Sequence, residues 1–158
     1  MKFNSALKNF VLVLFSTLLI SACSAKKASV DTVDDVYTGT DTVEYLANGV
    51  PDRVFFATNK SSLTTRSRDT LRKQATYLRK NKDLTVTIEG HADERGTREY
   101  NLALGERRAN AAKDYLMTYG VSGKRISVIS YGKEKPVNPA STPLAWSQNR
   151  RSVTVKVN

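Results

Sequence analysis

One continuous stretch, TIEGHADERGTREYNLALGERRANAA at residues 87–112, combines the end of a strand, a polar turn and a long helix. The alternation of apolar and polar residues leading up to Glu89 predicts a strand that ends there. Asp93 follows in a turn, so we expect its carboxylate to be exposed and charged. The helix then carries Asn101 and Arg108, whose i to i+7 spacing returns them to nearly the same face.

The side chains of this stretch predict a small zwitterionic ligand. A guanidinium such as that of Arg108 binds a carboxylate bidentately, and a carboxylate such as that of Asp93 accepts hydrogen bonds from an ammonium group. An amide such as Asn59 or Asn101 both donates and accepts, so it can fix the orientation of a ligand. The set therefore suits an amino-acid head group. The spacing alone favours a plainer alternative, an ion pair of Asp93 or Glu106 with an arginine on a solvated helix, worth about 0–1 kcal/mol.

The sequence on both sides of this stretch predicts one small α/β domain. Its strands are expected at 53–58, 84–89, 125–131 and 152–157 and its helices at about 65–81 and 98–119, with weaker patterns for a strand at 42–46 and a helical turn at 144–149. One face of the strands is consistently polar. This favours helices on one face of a small mixed β-sheet, an α+β two-layer sandwich.

The first residues predict export and lipid attachment. Lys2 and Lys8 accompany an apolar run at 10–20, shorter than the roughly 20 residues of a bilayer span, as in a secretory signal peptide. The run ends in LISAC, and this pattern resembles the lipobox of bacterial lipoproteins. We expect cleavage before Cys23 and acylation of that residue. Ser24 indicates the outer membrane, because an aspartate there favours inner-membrane retention in the enterobacterial sorting pattern.

Three segments follow from these patterns: a signal peptide at 1–22, a lipidated cysteine with a flexible tether at 23–49, and a domain at 50–158. The tether is expected because its sequence lacks a steady apolar period and is rich in Ser, Thr, Asp, Lys and Gly. Loss of the signal peptide removes two lysines and no acid, so the formal net charge falls from +10 to +8. The mature chain therefore remains basic.

A family resemblance extends over about residues 53–157. It is carried by GHADERGT at 90–97, EYN at 99–101, LGERRANA at 104–111, VISYGKEKP at 128–136 and SQNRRSV at 147–153. These ordered motifs resemble OmpA-like peptidoglycan-binding domains, and the resemblance implies their βαβαββ type of fold. It also implies their function, non-covalent binding of the diaminopimelate in the peptidoglycan stem peptide.

The resemblance assigns roles to individual residues. The family's motif aspartate and second helical arginine hold the diaminopimelate, and they match Asp93 and Arg108. The family's turn after the first strand matches residues 56–60. The expected peptidoglycan-binding residues are Phe56, Asn59, Asp93, Asn101, Leu104 and Arg108, with Leu104 lining the pocket. Relatives usually carry Asp at the position of Ala57 and often Pro at the position of Arg98. These departures imply one changed polar contact and an altered helix entry.

For lipid-anchored members of the family, the resemblance implies an outer-membrane lipoprotein whose domain faces the periplasm. Such a protein tethers the outer membrane to the cell wall and supports envelope integrity and cell division together with Tol-type periplasmic proteins. The alternative is a protein-interaction module whose main ligand is a Tol-type partner rather than peptidoglycan. The loop at 133–139 and the region of Tyr100 are candidate surfaces for that partner.

Catalysis, metal binding and nucleic-acid binding are disfavoured. His91 is the only histidine, Cys23 is the only cysteine, and the chain has no nucleophile elbow, so Asp93 and Glu94 lack partners for a catalytic or metal site. We expect no cofactor, and we expect His91 to pack the turn. The basic cluster at 66–82 would suit a nucleic acid, but export argues against one, and a solvated helix face is the default. A weaker hypothesis is that this face attracts an acidic envelope surface or partner.

Overall fold

The computed structural model describes residues 35–157, so the expected signal peptide, Cys23 and the start of the tether lie outside the described residues. In chain order the elements are β1 (Tyr45–Ala47), β2 (Val50–Pro51), β3 (Arg53–Phe55), α1 (Thr65–Lys80), β4 (Thr85–His91), α2 (Arg98–Thr118), β5 (Ile126–Gly132), α3 (Pro143–Asn149) and β6 (Arg151–Val157). A 3₁₀ turn, Gly123–Arg125, precedes β5. Within residues 35–157, none of the helices combines the length and apolar character that a bilayer span requires.

The main sheet contains four strands in the order β3-β6-β4-β5. Strands β4 and β5 are parallel, with Val86 opposite Ile126 and His91 opposite Gly132, and α2 supplies the crossover that a parallel pair needs. Strand β6 is antiparallel to both β3 and β4. Strands β1 and β2 form a separate antiparallel ribbon. The predicted mixed sheet with helices is therefore confirmed.

The core lies between the two long helices and one face of the sheet. The predicted apolar positions of both helices are almost fully buried, and they pack with alternate residues of β4. The helix positions are Leu71, Ala75, Leu78, Ala109, Ala112 and Leu116, and the β4 positions are Val86 and Ile88. Burying such side chains stabilises the fold by about 25 cal/mol per Å² of apolar surface removed from water.

Helix α2 begins at a capped turn and rests directly on β4. The Thr97 side chain accepts a hydrogen bond from the backbone N–H of Tyr100 at 3.2 Å, which satisfies one of the free donors at the helix start. A Cβ added to Gly90 would lie 1.8 Å from the carbonyl oxygen of Gly105, so no side chain fits at this crossing of strand and helix. Gly120, with φ +84°, follows the helix end as expected.

Residues 35–47, which the sequence analysis places in the flexible tether, pack against the domain. Tyr37 is 7% exposed, and its ring meets Phe55 edge-on with centroids 4.8 Å apart. Leu46, in β1, is buried as well. These anchors are too widely spaced to produce an apolar period, which is why composition alone predicted a free segment. The packed part of the chain thus begins before residue 50.

Candidate ligand-binding site

Arg108 lies at the centre of the site and is fully buried. Its Nε donates to the carbonyl oxygen of Lys60 at 2.9 Å, Nη1 to that of His91 at 2.8 Å, and Nη2 to that of Ala57 at 3.1 Å. The guanidinium also lies 5.3 Å from the centroid of the Phe56 ring. One side chain of α2 therefore ties the end of β4 to the turn that follows β3.

The charge of Arg108 has no close counter-ion in the part of the chain that the structure describes. Among residues 35–157, no aspartate or glutamate lies within ion-pair distance of its guanidinium. Burial lowers the pKa of Arg108 to about 10; the nearby charge of Arg150 lowers it further, and Asp93 opposes the shift. A guanidinium has five N–H groups. The described contacts use three, which leaves one on Nη1 and one on Nη2.

Asp93 is also buried, at 7% exposed, and two other arginines hold it. Its carboxylate accepts from the Arg95 backbone N–H at 3.1 Å and from Arg95 Nη2 at 2.7 Å, while Arg150 Nη1 lies 3.3 Å from the same oxygen as Nη2. Burial alone would raise the pKa of Asp93, but the hydrogen bonds from Arg95 outweigh it and hold the pKa below its ordinary value. The direct Asp93–Arg108 ion pair considered from the sequence is absent from the described contacts. Exposure of the Asp93 carboxylate, also expected, is wrong because the two arginines cover it.

The remaining expected site residues differ in how closely they join this centre. Asn101 is buried on the same helix face as Arg108, as its spacing predicts, and its Nδ2 donates to the Arg95 carbonyl at 2.8 Å. Leu104, which lies between Asn101 and Arg108 in the sequence, is also buried. Asn59 is exposed in the turn after β3 with φ +55°, a conformation that asparagine tolerates. No hydrogen bond joins Asn59 to Asp93 or Arg108 within the described part of the chain.

Sequence reasoning missed several residues that complete the site. Arg150 donates from Nε to the Phe56 carbonyl at 3.1 Å and from Nη2 to the Asp35 carboxylate at 2.9 Å. Arg95 also stacks on Trp146, with the guanidinium carbon 4.3 Å from the ring centroid. The sequence does contain one signal for Arg150, the adjacent pair Arg150–Arg151 at the start of an alternating strand. Burial is expected at such a position and charge is unusual there.

His91 packs beside this site. It is 1% exposed, and its ring lies 5.6 Å from that of Tyr131. Burial, with the positive charges of Arg151, Lys135 and Arg53, lowers its pKa to about 3, so the ring is neutral near pH 7. Among residues 35–157, no cluster of three or more His, Cys, Asp or Glu side chains could hold a metal ion.

The fold and the site define a small α/β domain with buried ionic groups, Asp93 and Arg108, beside the carboxyl end of strand β4. Residues 55–150 match the OmpA family. The chain belongs to the OmpA family.

Relatives support this assignment over nearly the whole chain. The peptidoglycan-associated lipoprotein of Rhizobium meliloti (strain 1021) is 46% identical over 151 residues, covering 92% of this chain and 85% of that protein. The protein of the same name from Mesorhizobium japonicum is 43% identical over 150 residues, covering 91% and 89%.

Solved structures agree with the fold. The crystal structure of the peptidoglycan-associated lipoprotein from Burkholderia pseudomallei superposes with a TM-score of 0.66 at 38% identity, covering 67% of this chain and 90% of that one. The OmpA-like domain of FopA1 from Francisella tularensis superposes with a TM-score of 0.59 at 24% identity, covering 73% and 79%. The second likeness concerns the fold alone.

Proposed function

We propose that this chain is an outer-membrane lipoprotein that binds peptidoglycan non-covalently. Lipid on Cys23 would hold it in the membrane, and the domain would face the periplasm and bind the diaminopimelate of the stem peptide. The names of its relatives, peptidoglycan-associated lipoproteins that it matches over most of their length, support this proposal. The function is attachment, with no enzymatic step.

The observation that carries the proposal is the unpaired charge of Arg108. A buried cation is normally paired with an anion, because desolvation without a counter-charge is unfavourable. Arg108 instead has three carbonyl oxygens around it and two N–H groups without a partner among the described residues. A ligand carboxylate would supply the missing charge.

The neighbouring carboxylate suits the other half of a zwitterion. A ligand ammonium group would take the place of Arg95 at Asp93, since the Arg95 side chain is 42% exposed and has room to leave. Asn101 would orient the ligand, and the turn bearing Asn59 would move to admit it. Phe56 would support the guanidinium of Arg108 from beneath, and Leu104 would line the apolar side of the pocket.

In the proposed attachment each domain binds weakly, and many domains together bind firmly. Hydrogen bonds to charged groups contribute about 1.5–3 kcal/mol each, so one domain would bind with modest affinity. Many anchored copies on one polymer would hold the membrane to the wall through effective concentration. Reversible binding would also let the protein support envelope integrity and cell division as part of a Tol-Pal system.

A protein-partner surface would include exposed apolar side chains of α2 or α3. Tyr100 and Leu102, in the first turns of α2, are 42% and 45% exposed, and Leu144 in α3 is 59% exposed. Exposed apolar side chains suit a protein partner. A Tol-type periplasmic protein as the main ligand is therefore the second candidate function.

Sedimentation with purified sacculi tests the first proposal. The full chain, purified in detergent, should co-sediment with diaminopimelate-type peptidoglycan, and Asp93→Asn should weaken binding about 10- to 150-fold through loss of a charged hydrogen bond. Arg108→Lys should do the same while keeping the buried positive charge. Circular dichroism would verify that each variant remains folded.

Arg107→Lys is the matched control for Arg108→Lys, because Arg107 is the exposed neighbour on the same helix and both substitutions leave the net charge unchanged. Unchanged binding by both site variants would refute the site. A wild-type chain that ignores sacculi but binds a Tol-type protein would instead favour the second candidate.

A further inference from the structure

The segment at residues 35–41, DVYTGTD, crosses the rim of the candidate site, and we refer to it as the strap. Its first residue makes the closest contacts. The Asp35 carboxylate accepts from the backbone N–H of Thr58, with its oxygens at 2.8 and 3.1 Å, and from Arg150 Nη2 at 2.9 Å. Arg150 Nη2 also donates to the Asp35 carbonyl. A backbone amide and a guanidinium converging on one carboxylate form an anion-binding position.

Two further contacts hold the rest of the strap. The Tyr37 ring packs edge-on against Phe55, and Asp41 accepts a hydrogen bond from Gln148 Nε2 at 2.9 Å. The strap therefore has one apolar anchor between two polar ones. It also forms one wall of a cleft of about 520 Å³ whose other walls include Arg95, Trp146 and Arg150.

Arg150 couples the strap to the centre of the candidate site. Its Nη1 lies 3.3 Å from the Asp93 carboxylate, and its Nη2 lies 2.9 Å from that of Asp35. One guanidinium thus bridges an acid of the candidate site and an acid of the strap. A carboxylate-bearing ligand that approached Asp93 would meet the Thr58 amide and Arg150 already occupied.

We propose that the strap is a built-in competitor: the Asp35 carboxylate occupies a carboxylate-binding position of the site, and a peptidoglycan stem peptide must displace it to bind fully. This inference rests on the proposed function and adds its regulation. The competitor is readily displaced, because the Asp35 side chain is 42% exposed and its ion pair is partly screened by water.

The test is Asp35→Ala in the full chain, purified in detergent, with sacculi as the probe. Removing the competitor should lower the apparent dissociation constant by roughly two- to fivefold, the range expected for a partly exposed ion pair. Asp83→Ala is the control, since it removes the same charge from an exposed position in the turn after α1 and should leave binding unchanged.

Hydrogen exchange reports on the strap directly. Without ligand, Asp35→Ala should speed exchange of the Thr58 amide, which has lost its acceptor. Added stem tripeptide should slow exchange of the Thr58 amide in Asp35→Ala again, because a ligand carboxylate replaces the lost acceptor.

The outcomes separate the two proposals. If the wild-type chain binds sacculi and Asp35→Ala binds them equally or more weakly, the strap proposal is wrong. The peptidoglycan proposal would still stand. Sacculi bound by neither protein would overturn the peptidoglycan proposal and the strap with it.

Discussion

Arg108 shows how a single charge determines the character of the site. Three backbone carbonyls satisfy part of its hydrogen-bonding capacity, but carbonyl dipoles do not replace a counter-ion. The residue therefore has two roles that conflict. It ties β4 to the turn after β3, and it carries a positive charge that no carboxylate among residues 35–157 pairs directly, so a ligand anion would be stabilised there.

His91 makes the domain sensitive to acid. Its pKa of about 3 in the folded protein lies below the unfolded value of about 6.5, so the unfolded chain binds a proton that the folded chain excludes. This contribution to stability is complete above pH 6.5 and is lost as the pH falls toward 3. Each pH unit in that window should lower the free energy of unfolding by about 1.4 kcal/mol. Urea unfolding at pH 4–7 measures the slope.

His91→Gln is the variant that isolates this effect. The variant should be less stable at pH 7, because it lacks the buried ring that packs near Tyr131. It should lose less stability on acidification, because a neutral amide does not titrate. Carboxylates contribute equally to both proteins. The difference between the two plots of unfolding free energy against pH therefore measures the contribution of His91. Parallel curves between pH 6.5 and 4 would contradict the assignment.

At the scale of elements, the crossing of Gly90 and Gly105 fixes where α2 lies on β4. A Cβ on Gly90 would overlap the Gly105 carbonyl, which belongs to the helix backbone and cannot rotate away. The crossing therefore sets the height of the helix above the sheet. Arg108, one turn further along α2, reaches the His91 carbonyl from that height.

Gly90→Ala should separate the helix from the strand. Overpacking at such a contact destabilises by about 1–3 kcal/mol, or more when the neighbour is backbone, and displacement of Arg108 should weaken sacculus binding as well. Thermal and urea unfolding measure the first effect. Gly123→Ala is the control, because its added Cβ meets the flexible end of Met117 at 3.1 Å. Equal stability of the two variants would disprove the tight crossing.

Periodicity predicted the elements well because their faces are set locally. Apolar spacing in α1 and α2 and alternation in β4 and β6 follow from burial of one face, so each pattern is visible within about ten residues. The strand after residue 53 was expected to reach 58 but ends at Phe55. The chain turns there because the carbonyls of Ala57 and Lys60 bind Arg108 rather than a neighbouring strand.

The site was only partly predictable, because several of its contacts join residues far apart in sequence. Asn101 and Arg108 share a helix face, as their spacing predicts, and the structure shows that this face is buried. Asp35 and Arg150 meet across 115 positions, and no local pattern signals such a pair. The family resemblance supplied Asp93 as a site residue, but it did not indicate that Arg95 and Arg150 would cover it.

At the scale of the whole molecule, Cys23→Ser tests the membrane anchor. The thiol is the acyl acceptor in the expected lipobox, so the variant should incorporate no labelled palmitate and should leave the membrane fraction. Ser24→Ala, which keeps the cysteine, should still be labelled. Continued labelling of Cys23→Ser would show that another residue carries the lipid.

With lipid on Cys23, the docked strap would also limit how far the domain can move from the membrane. Twelve residue steps separate Cys23 from Asp35, a span of at most about 40–43 Å when fully extended. Release as far as Asp41 adds about 20–22 Å to that limit. A domain anchored through lipid on Cys23 could contact wall beyond the first limit only after the strap had left the site. A wider gap between membrane and wall would then favour the conformation with the strap released, which is the conformation that would bind peptidoglycan most tightly.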